Sequence, residues 1–316
     1  MLYNKNNMQY LGDIMYVIDM HCDSLSEVSS ERGLVTPYNF SKKFPQLQFF
    51  AHFSKKGNDA PDKRRKRLMQ AVNVYLSECE RLGFCRVTSG RDIFSVTDNS
   101  LPAAMLTLEG GGGLFADSPE LDTLVKAGLS VLGMAWDTSE LSACAWDEVD
   151  TGLTIEGKRM VNRCTELGII LDVSHLSDRA FYETFELSPM PHIATHSNFR
   201  EVCQSKRNLT RDMAKMIASR GGVIGINLYP PFLRDGGASA EDIIRHIDYA
   251  LELLGDRNIG FGFDIDGTDG LFPCGINPKI SIHDQVIDLL LSRYSLETVE
   301  RIAGLNVIEF LKDNLM

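Results

Sequence analysis

The sequence predicts an α/β fold in which eight parallel strands close into a (β/α)8 barrel, the TIM-barrel architecture. Three observations carry that expectation. Short apolar runs recur along the 316 residues, amphipathic segments with helix-start signals stand between them, and a histidine or carboxylate repeatedly ends a run. Parallel strands buried on both faces read as such runs, and the residues just past their C-terminal ends form the working face of a barrel. A barrel takes roughly 250 residues and tolerates insertions, so this length suits one domain. Residues 1–15 are expected as an N-terminal extension and 16–316 as a single barrel domain.

Taken in order, the first run is Tyr16–His21 and the second Leu47–Phe53. Asp62–Leu82 follows with Leu68, Ala71, Val72 and Tyr75 at a helical period. The third and fourth runs are Ala103–Glu109 and Leu129–Trp136. A second helical period, Met160, Val161 and Cys164 within Gly157–Leu167, separates them from the fifth, Gly168–His175. His192–His196 is the sixth. Thr210 then caps a helix beginning at Arg211, ahead of the seventh run, Gly222–Tyr229. Ser239 caps the next helix, with Asp242 at its third position, and Asn258–Asp264 is the eighth run. Repeated strand–helix alternation favours a closed parallel barrel over an open doubly wound sheet. Two long connections, 22–46 and 137–156, should lie over the barrel mouth and shape a substrate pocket.

The net charge of −11 and the pI near 5.1 argue against nucleic acid or an anionic membrane as partner. No apolar stretch approaches the ~20 residues of a membrane span. No secretory leader is visible at the N-terminus. The seven cysteines form no CxxC pair, which points to reduced, buried thiols and a cytoplasmic setting.

The chemistry-bearing residues gather at the run ends. His21 and Asp23, two apart on an extended segment, can reach one ion, and imidazole with carboxylate suits Zn2+ or a similar borderline cation. His175 and His196 each close a run. Glu109 closes another and enters Gly110–Gly113, where a carboxylate can bridge two cations and glycines permit close backbone approach. Asp264 ends the eighth run and is the candidate for proton transfer; Asp266, before Gly267, reads as a turn carboxylate. His52 is read as a pocket or structural residue, His192 as structural, and His246 and His283 as surface residues.

In order and spacing these residues resemble the membrane (renal) dipeptidase family, peptidase family M19 of the amidohydrolase superfamily. The resemblance runs from about Ile18 to the C-terminus. It rests on Ile18-Asp-Met-His-Cys-Asp23, Leu108-Glu-Gly-Gly111, Gly152-Leu-Thr-x-x-Gly157, Leu171-Asp-Val-Ser-His-Leu-Ser177, Thr195-His-Ser197, Lys206-Arg-Asn208 and Gly260-Phe-Gly-Phe-Asp-Ile-Asp-Gly267. It implies a (β/α)8 barrel with two Zn2+ per chain, one held by His21 and Asp23, the other by His175 and His196, and Glu109 bridging them. Asp264 takes the place of the family's proton-transfer aspartate. Arg207 matches the arginine that grips the substrate's C-terminal carboxylate, and Tyr229 falls near that same carboxylate. Trp136 stands where mammalian members have a histidine that contacts the scissile carbonyl, so it is read as a substrate-binding residue. The resemblance also suggests a homodimer.

The expected activity is therefore zinc-dependent hydrolysis of dipeptides or similar short amides, by attack of a metal-bridging hydroxide on the peptide bond. The alternative within the superfamily is another metal-dependent hydrolysis, of a lactone, a cyclic amide or a deamination substrate. A binding protein with a decayed site is disfavoured, since every ligand position is filled.

Overall fold

A computed structural model of the chain describes residues 15–28, 32–99 and 101–315. The expected extension 1–15 lies outside them except for Met15, whose side chain is buried. The strands are β1 (Val17–Cys22), β2 (Gln46–Phe53), β3 (Cys85–Arg86), β4 (Ala103–Glu109), β5 (Leu129–Gly133), β6 (Ile170–Asp172), β7 (Ile224–Ile226) and β8 (Ile259–Phe261). The main helices on the return paths are α1 (Pro61–Leu82), α2 (Asp92–Asn99), α3 (Pro119–Ala127), α4 (Ile155–Leu167), α5 (Asp178–Leu187) and α6 (Arg211–Ser219). They are followed by α7 (Pro230–Leu233), α8 (Ala240–Leu254), α9 (Ile282–Leu291), α10 (Leu296–Glu300) and, after one π-turn, α11 (Asn306–Asn314).

All strand pairs are parallel, in the order β6-β5-β4-β2-β1-β8-β7, with β3 a short addition beside β4. The sixth run closes the curl into a ring. Ile193 bridges to Asp172 and Ala194 to Ile224. The amide of Val173 donates to the Ile193 carbonyl at 2.8 Å, and that of Gly225 to the Ala194 carbonyl at 2.8 Å. This stave is shorter than the five-residue strand the sequence predicts. The reason is local: Thr195 sends its amide to the Asp172 carboxylate (3.0 Å) instead of to a ladder carbonyl. Other strands stop short in the same way, because a side chain takes an amide one or two residues past the strand's end. Asp172 accepts from Ser174 N (2.9 Å), Asn198 Oδ1 from Asn227 N (3.0 Å) and Asp19 from Phe263 N (3.0 Å). His21 and Glu109 thus lie at the ends of their strands as predicted, whereas Trp136, His175, Tyr229 and Asp264 sit in the loops just beyond theirs.

Ile18, Met20, Phe49, Met105, Val131 and Val223 fill the inside of the ring, and Val307, Phe310 and Leu311 of α11 pack with them. The opposite strand faces pack under the helices; Phe50, for example, meets Tyr75 of α1 at 6.4 Å between ring centres. Each such side chain contributes about 1.5–3 kcal/mol by leaving water. Gly225 and Gly262 let β7 and β8 approach this stave, since a Cβ at either would lie 2.0 or 1.8 Å from the Thr195 carbonyl oxygen. The predicted caps form: Thr210 Oγ1 accepts from Met213 N, and Ser239 and Asp242 make a reciprocal capping box.

Two expectations are corrected. His246 and His283 are fully buried, not surface residues. His246 accepts from Phe199 N at 3.3 Å and lies 3.1 Å from the Leu233 carbonyl; His283 Nε2 lies 2.8 Å from Asp19. A buried imidazole is stable where both ring nitrogens find partners or a carboxylate, and helical spacing from apolar neighbours put them there. Cys274 is exposed, against the expectation of uniformly buried thiols, and all seven cysteines are free. His52 shares the strand face of Phe50, toward α1, which fits the structural reading rather than the pocket.

Candidate metal centre

Strand alternation alone carries Glu109 inward, on the face of Ala103 and Met105. For His21 it does not: Ile18 and Met20 point inward, so a regular β1 would turn His21 out. An irregularity in the β1–β2 pairing between Asp19 and Cys22 reverses this and brings His21 and Asp23 to the mouth. His175 and Asp264 reach it from left-handed backbone, at φ 66° and 60°.

The six residues predicted from the run ends meet there, all buried. Glu109 Oε1 lies 2.8 Å from His175 Nε2 and 3.2 Å from His196 Nε2, while its Oε2 is 3.7 Å from His21 Nε2. His21 Nε2 is also 3.8 Å from Asp23 and 3.7 Å from Asp264. The same two ring nitrogens, Nε2 of His175 and of His196, are 2.9 Å apart. Two triples have ligand atoms close enough to share an ion: His21, Glu109 and His196, and His21, Asp23 and Asp264. His21 belongs to both, so the cluster is one connected set.

Its electrostatics ask for added positive charge. Burial holds His21 down to about 3, with the Arg207 charge adding to the effect; His175 and His196 are also lowered well below the usual imidazole range, burial again being the first cause. Burial, then neighbouring carboxylates, raises Asp23 and Glu109 well above the usual range, and burial raises Asp264 to about 7. Every imidazole resists a proton and every carboxylate seeks one. His21 Nε2, Asp23 Oδ1 and Glu109 Oε1 are buried without a hydrogen-bond partner among the described residues. Three imidazoles and three carboxylates converging in a buried site, with atoms of His21, Asp23 and Glu109 left unpartnered among the described residues, fit divalent cations with mixed nitrogen and oxygen preference.

Neighbouring residues hold these side chains in place. The Thr195 hydroxyl lies 2.5 Å from Asp172 Oδ2 and 2.7 Å from His196 Nδ1. The carboxylate only accepts, so the hydroxyl donates to it and receives the His196 Nδ1 proton. That tautomer leaves His196 Nε2 with its lone pair toward Glu109. Asn227 Nδ2 donates to Asp264 Oδ2 at 3.0 Å and fixes that carboxyl. Asp172, Thr195 and Asn227 were missed in the sequence; an aspartate inside the apolar run Ile170-Leu-Asp-Val was the available signal.

Arg207 is buried beside the cluster. Nη1 donates to Ser197 Oγ (3.1 Å) and Nη2 to the His196 carbonyl (3.0 Å), while Nε has no partner among the described residues. Its cation therefore rests on neutral oxygens. Phe232 lies under the guanidinium at 5.6 Å, and Tyr229 packs edge-on against that ring at 4.8 Å, so Tyr229 is linked to Arg207 through Phe232. Trp136 stands on the other flank, 4.6 Å from Phe53 and 6.3 Å from His175 between ring centres. Asp266 points away from the cluster. It accepts from Ser24 Oγ (2.7 Å), Tyr38 OH (3.0 Å) and Arg32, tying the 22–46 connection to the mouth.

The family described as membrane dipeptidase, peptidase family M19, matches residues 7–314. The chain belongs to that family. Membership sets it among the peptide-bond hydrolases, on the (β/α)8 scaffold just described. Among its relatives, an uncharacterized protein of the pqqA 5′ region in Klebsiella pneumoniae is 29% identical over 245 residues, covering 74% of this chain and 89% of that one. Dipeptidase 3 of Mus musculus is 29% identical over 203 residues, 60% of this chain but 40% of the mouse protein. Among solved structures, a Rhodobacter sphaeroides metallopeptidase bound to a phosphinate mimic of L-Ala-D-Ala superposes with a TM-score of 0.84 at 22% identity, covering 96% of this chain and 100% of that one. A metallopeptidase described as dipeptidase AC gives 0.83 at 23% identity, covering 96% and 99%. At such identities the likeness speaks for the fold. Among the described residues no helix is long and apolar enough to cross a membrane.

Proposed function

We propose that this chain is a zinc-dependent dipeptidase whose single barrel domain holds two Zn2+. His21 and Asp23 would hold one ion, His175 and His196 the other, with Glu109 shared between them. The observation that carries this reading is a buried guanidinium with an unspent Nε beside buried imidazole and carboxylate atoms that lack partners. When bound, the ions supply Lewis-acid polarisation of the scissile carbonyl and bring the pKa of water from 15.7 to roughly 7. Arg207 binds the substrate's terminal carboxylate through donors its present bonds leave free, which restricts the substrate to one ending close to the cut bond. Asp264, held at one oxygen by Asn227, takes a proton on the other and returns it to the departing amine. Trp136, packed edge-on against Phe53, stands on the side of His175 and offers an apolar surface to the substrate. The charge of Arg207 favours a carboxylate-bearing substrate over a lactone or cyclic amide. The unpaired thiols support a reducing, cytoplasmic setting.

The test is a panel of unblocked dipeptides, dipeptide amides and lactones, run on protein reconstituted with zinc and on the same protein after chelation. Zinc-dependent release of free amino acids from the dipeptides alone is the expected result. Turnover of lactones with inert dipeptides, or dipeptide cleavage that survives chelation, defeats the proposal.

A further inference from the structure

Asp19 precedes His21 by two residues yet stays out of the cluster. Its carboxylate is fully buried on the strand face of Val17, while Ile18 and Met20 line the inside of the ring. One oxygen, Oδ1, accepts from the amides of Phe263 (3.0 Å) and His21 (3.2 Å). The other lies 2.8 Å from Nε2 of His283, near the start of α9. His283 is itself fully buried and stacks on Phe263 with ring centres 4.9 Å apart.

This carboxylate sits where the ladder between β1 and β8 slips. Asp19 pairs with Phe261, and the next bridge is Cys22 with Ile265, so three steps along β1 match four along β8. Against β2 the mismatch is opposite: Asp19 pairs with Gln48 and Cys22 with Phe50, three steps against two. The amides of His21 and Phe263, freed by the slip, both end on Asp19 Oδ1. Past the slip, His21 faces the mouth rather than the helices, and Asp264 follows Phe263 into its left-handed turn with its amide on the His21 carbonyl (3.2 Å). A buried carboxylate bonded to two amides still needs a donor on its second oxygen, and His283 provides it.

We propose that Asp19 and His283 form a positioning pair that sets the aim of His21 and Asp264, and so the affinity of the cation site at His21 and Asp23. This rests on the two-cation reading above. The pair touches neither substrate nor ion; it acts through backbone amides. It predicts asymmetry, because the amides around His175 and His196 are held by Asp172 and Ser174 instead.

The discriminating substitutions are His283→Gln, whose amide nitrogen can occupy the place of Nε2, and His283→Asn and His283→Leu, which cannot supply that donor. Zinc is titrated into metal-free protein against a chromophoric chelator to give two affinities, and Co2+ absorption reports the coordination of each site. His283→Leu and His283→Asn should weaken one zinc affinity by roughly 10–100-fold, the range for groups that orient metal ligands, and leave the other within about threefold. They should lower kcat with KM for a dipeptide little changed, since Arg207 is untouched, and His283→Gln should restore both. Equal weakening of both ions, unchanged affinities in a variant that has lost melting temperature, or Gln behaving like Asn would overturn the proposal. Should His283→Leu fail to fold, the Asn and Gln comparison decides alone. Wild-type protein that takes two cations but ignores dipeptides defeats the proposed reaction and leaves this comparison standing; active wild type with unaltered variant affinities defeats only the positioning pair.

Discussion

Replacing Arg207 with Met should separate substrates by their C-terminus. A guanidinium offers five N–H donors. Here Nη1 and Nη2 each give one to Ser197 Oγ and the His196 carbonyl, so roughly three remain, enough for a two-pronged grip on a carboxylate. Hydrogen bonds to charged groups contribute about 1.5–3 kcal/mol each, and two made together to one carboxylate suggest a loss of about 3 kcal/mol on removal. That is about 100-fold in kcat/KM, at 1.36 kcal/mol per decade. The substitution also strips donors from Ser197 and His196, a defect felt by every substrate alike. The assay therefore takes the ratio of kcat/KM for a dipeptide to that for its C-terminal amide, in wild type and variant. The ratio should fall by about two decades, mostly through KM. An equal loss on both substrates would show that Arg207 supports the barrel mouth without recognising the carboxylate.

Asp264→Asn should lower kcat by roughly 10²–10⁴-fold, the usual range for a proton-transfer group, with zinc content unchanged by elemental analysis; a surviving rate refutes its role. Thr195→Val leaves Asp172 Oδ2 and His196 Nδ1 unpaired. It should cost about 1–3 kcal/mol in denaturant unfolding, and calorimetric titration should show zinc binding weakened by roughly 10–100-fold at the His196 site. Burial lowers His246 to about 4, so the unfolded chain takes up a proton first as the pH falls. The stability His246 contributes is complete above about 6.5 and drains away as the pH drops toward 4, by about 2 kcal/mol at pH 5. His246→Gln should flatten the pH dependence of urea midpoints between 7 and 5 by that amount, and an unchanged slope rules the assignment out.

What the sequence made legible follows from periodicity. Glu109 was readable because an unbroken inside–outside alternation runs from Ala103 to the end of β4. His21, His175 and Asp264 were readable only as positions near strand ends. Their actual aim depends on the β1 irregularity and on two left-handed residues, and the carboxylates and amides that impose these come from residues far away in the chain, such as Asp19 against Phe263. The misreading of two histidines had a usable signal. His246 lies three after Ile243 and four before Ala250, and His283 lies three, four and seven before Val286, Ile287 and Leu290. Both occupy the apolar face of their helices, where an imidazole is buried, and polarity alone was a poor guide.

The mouth of the barrel gathers what folding otherwise avoids. His175 and Asp264 occupy left-handed backbone, at about 1–2 kcal/mol for each residue that carries a Cβ. Glycine at either position would relieve that cost and remove the functional group with it. Beside them stand buried atoms without partners, each about 1–3 kcal/mol unfavourable, and a buried guanidinium with an unspent Nε. A divalent cation would engage the imidazoles and carboxylates, and a substrate carboxylate the guanidinium. The apolar inner layer and the C-terminal helix beneath it offset these costs until then. The strain is thus placed where binding can relieve it, which is the arrangement expected of a site organised before its ligands arrive.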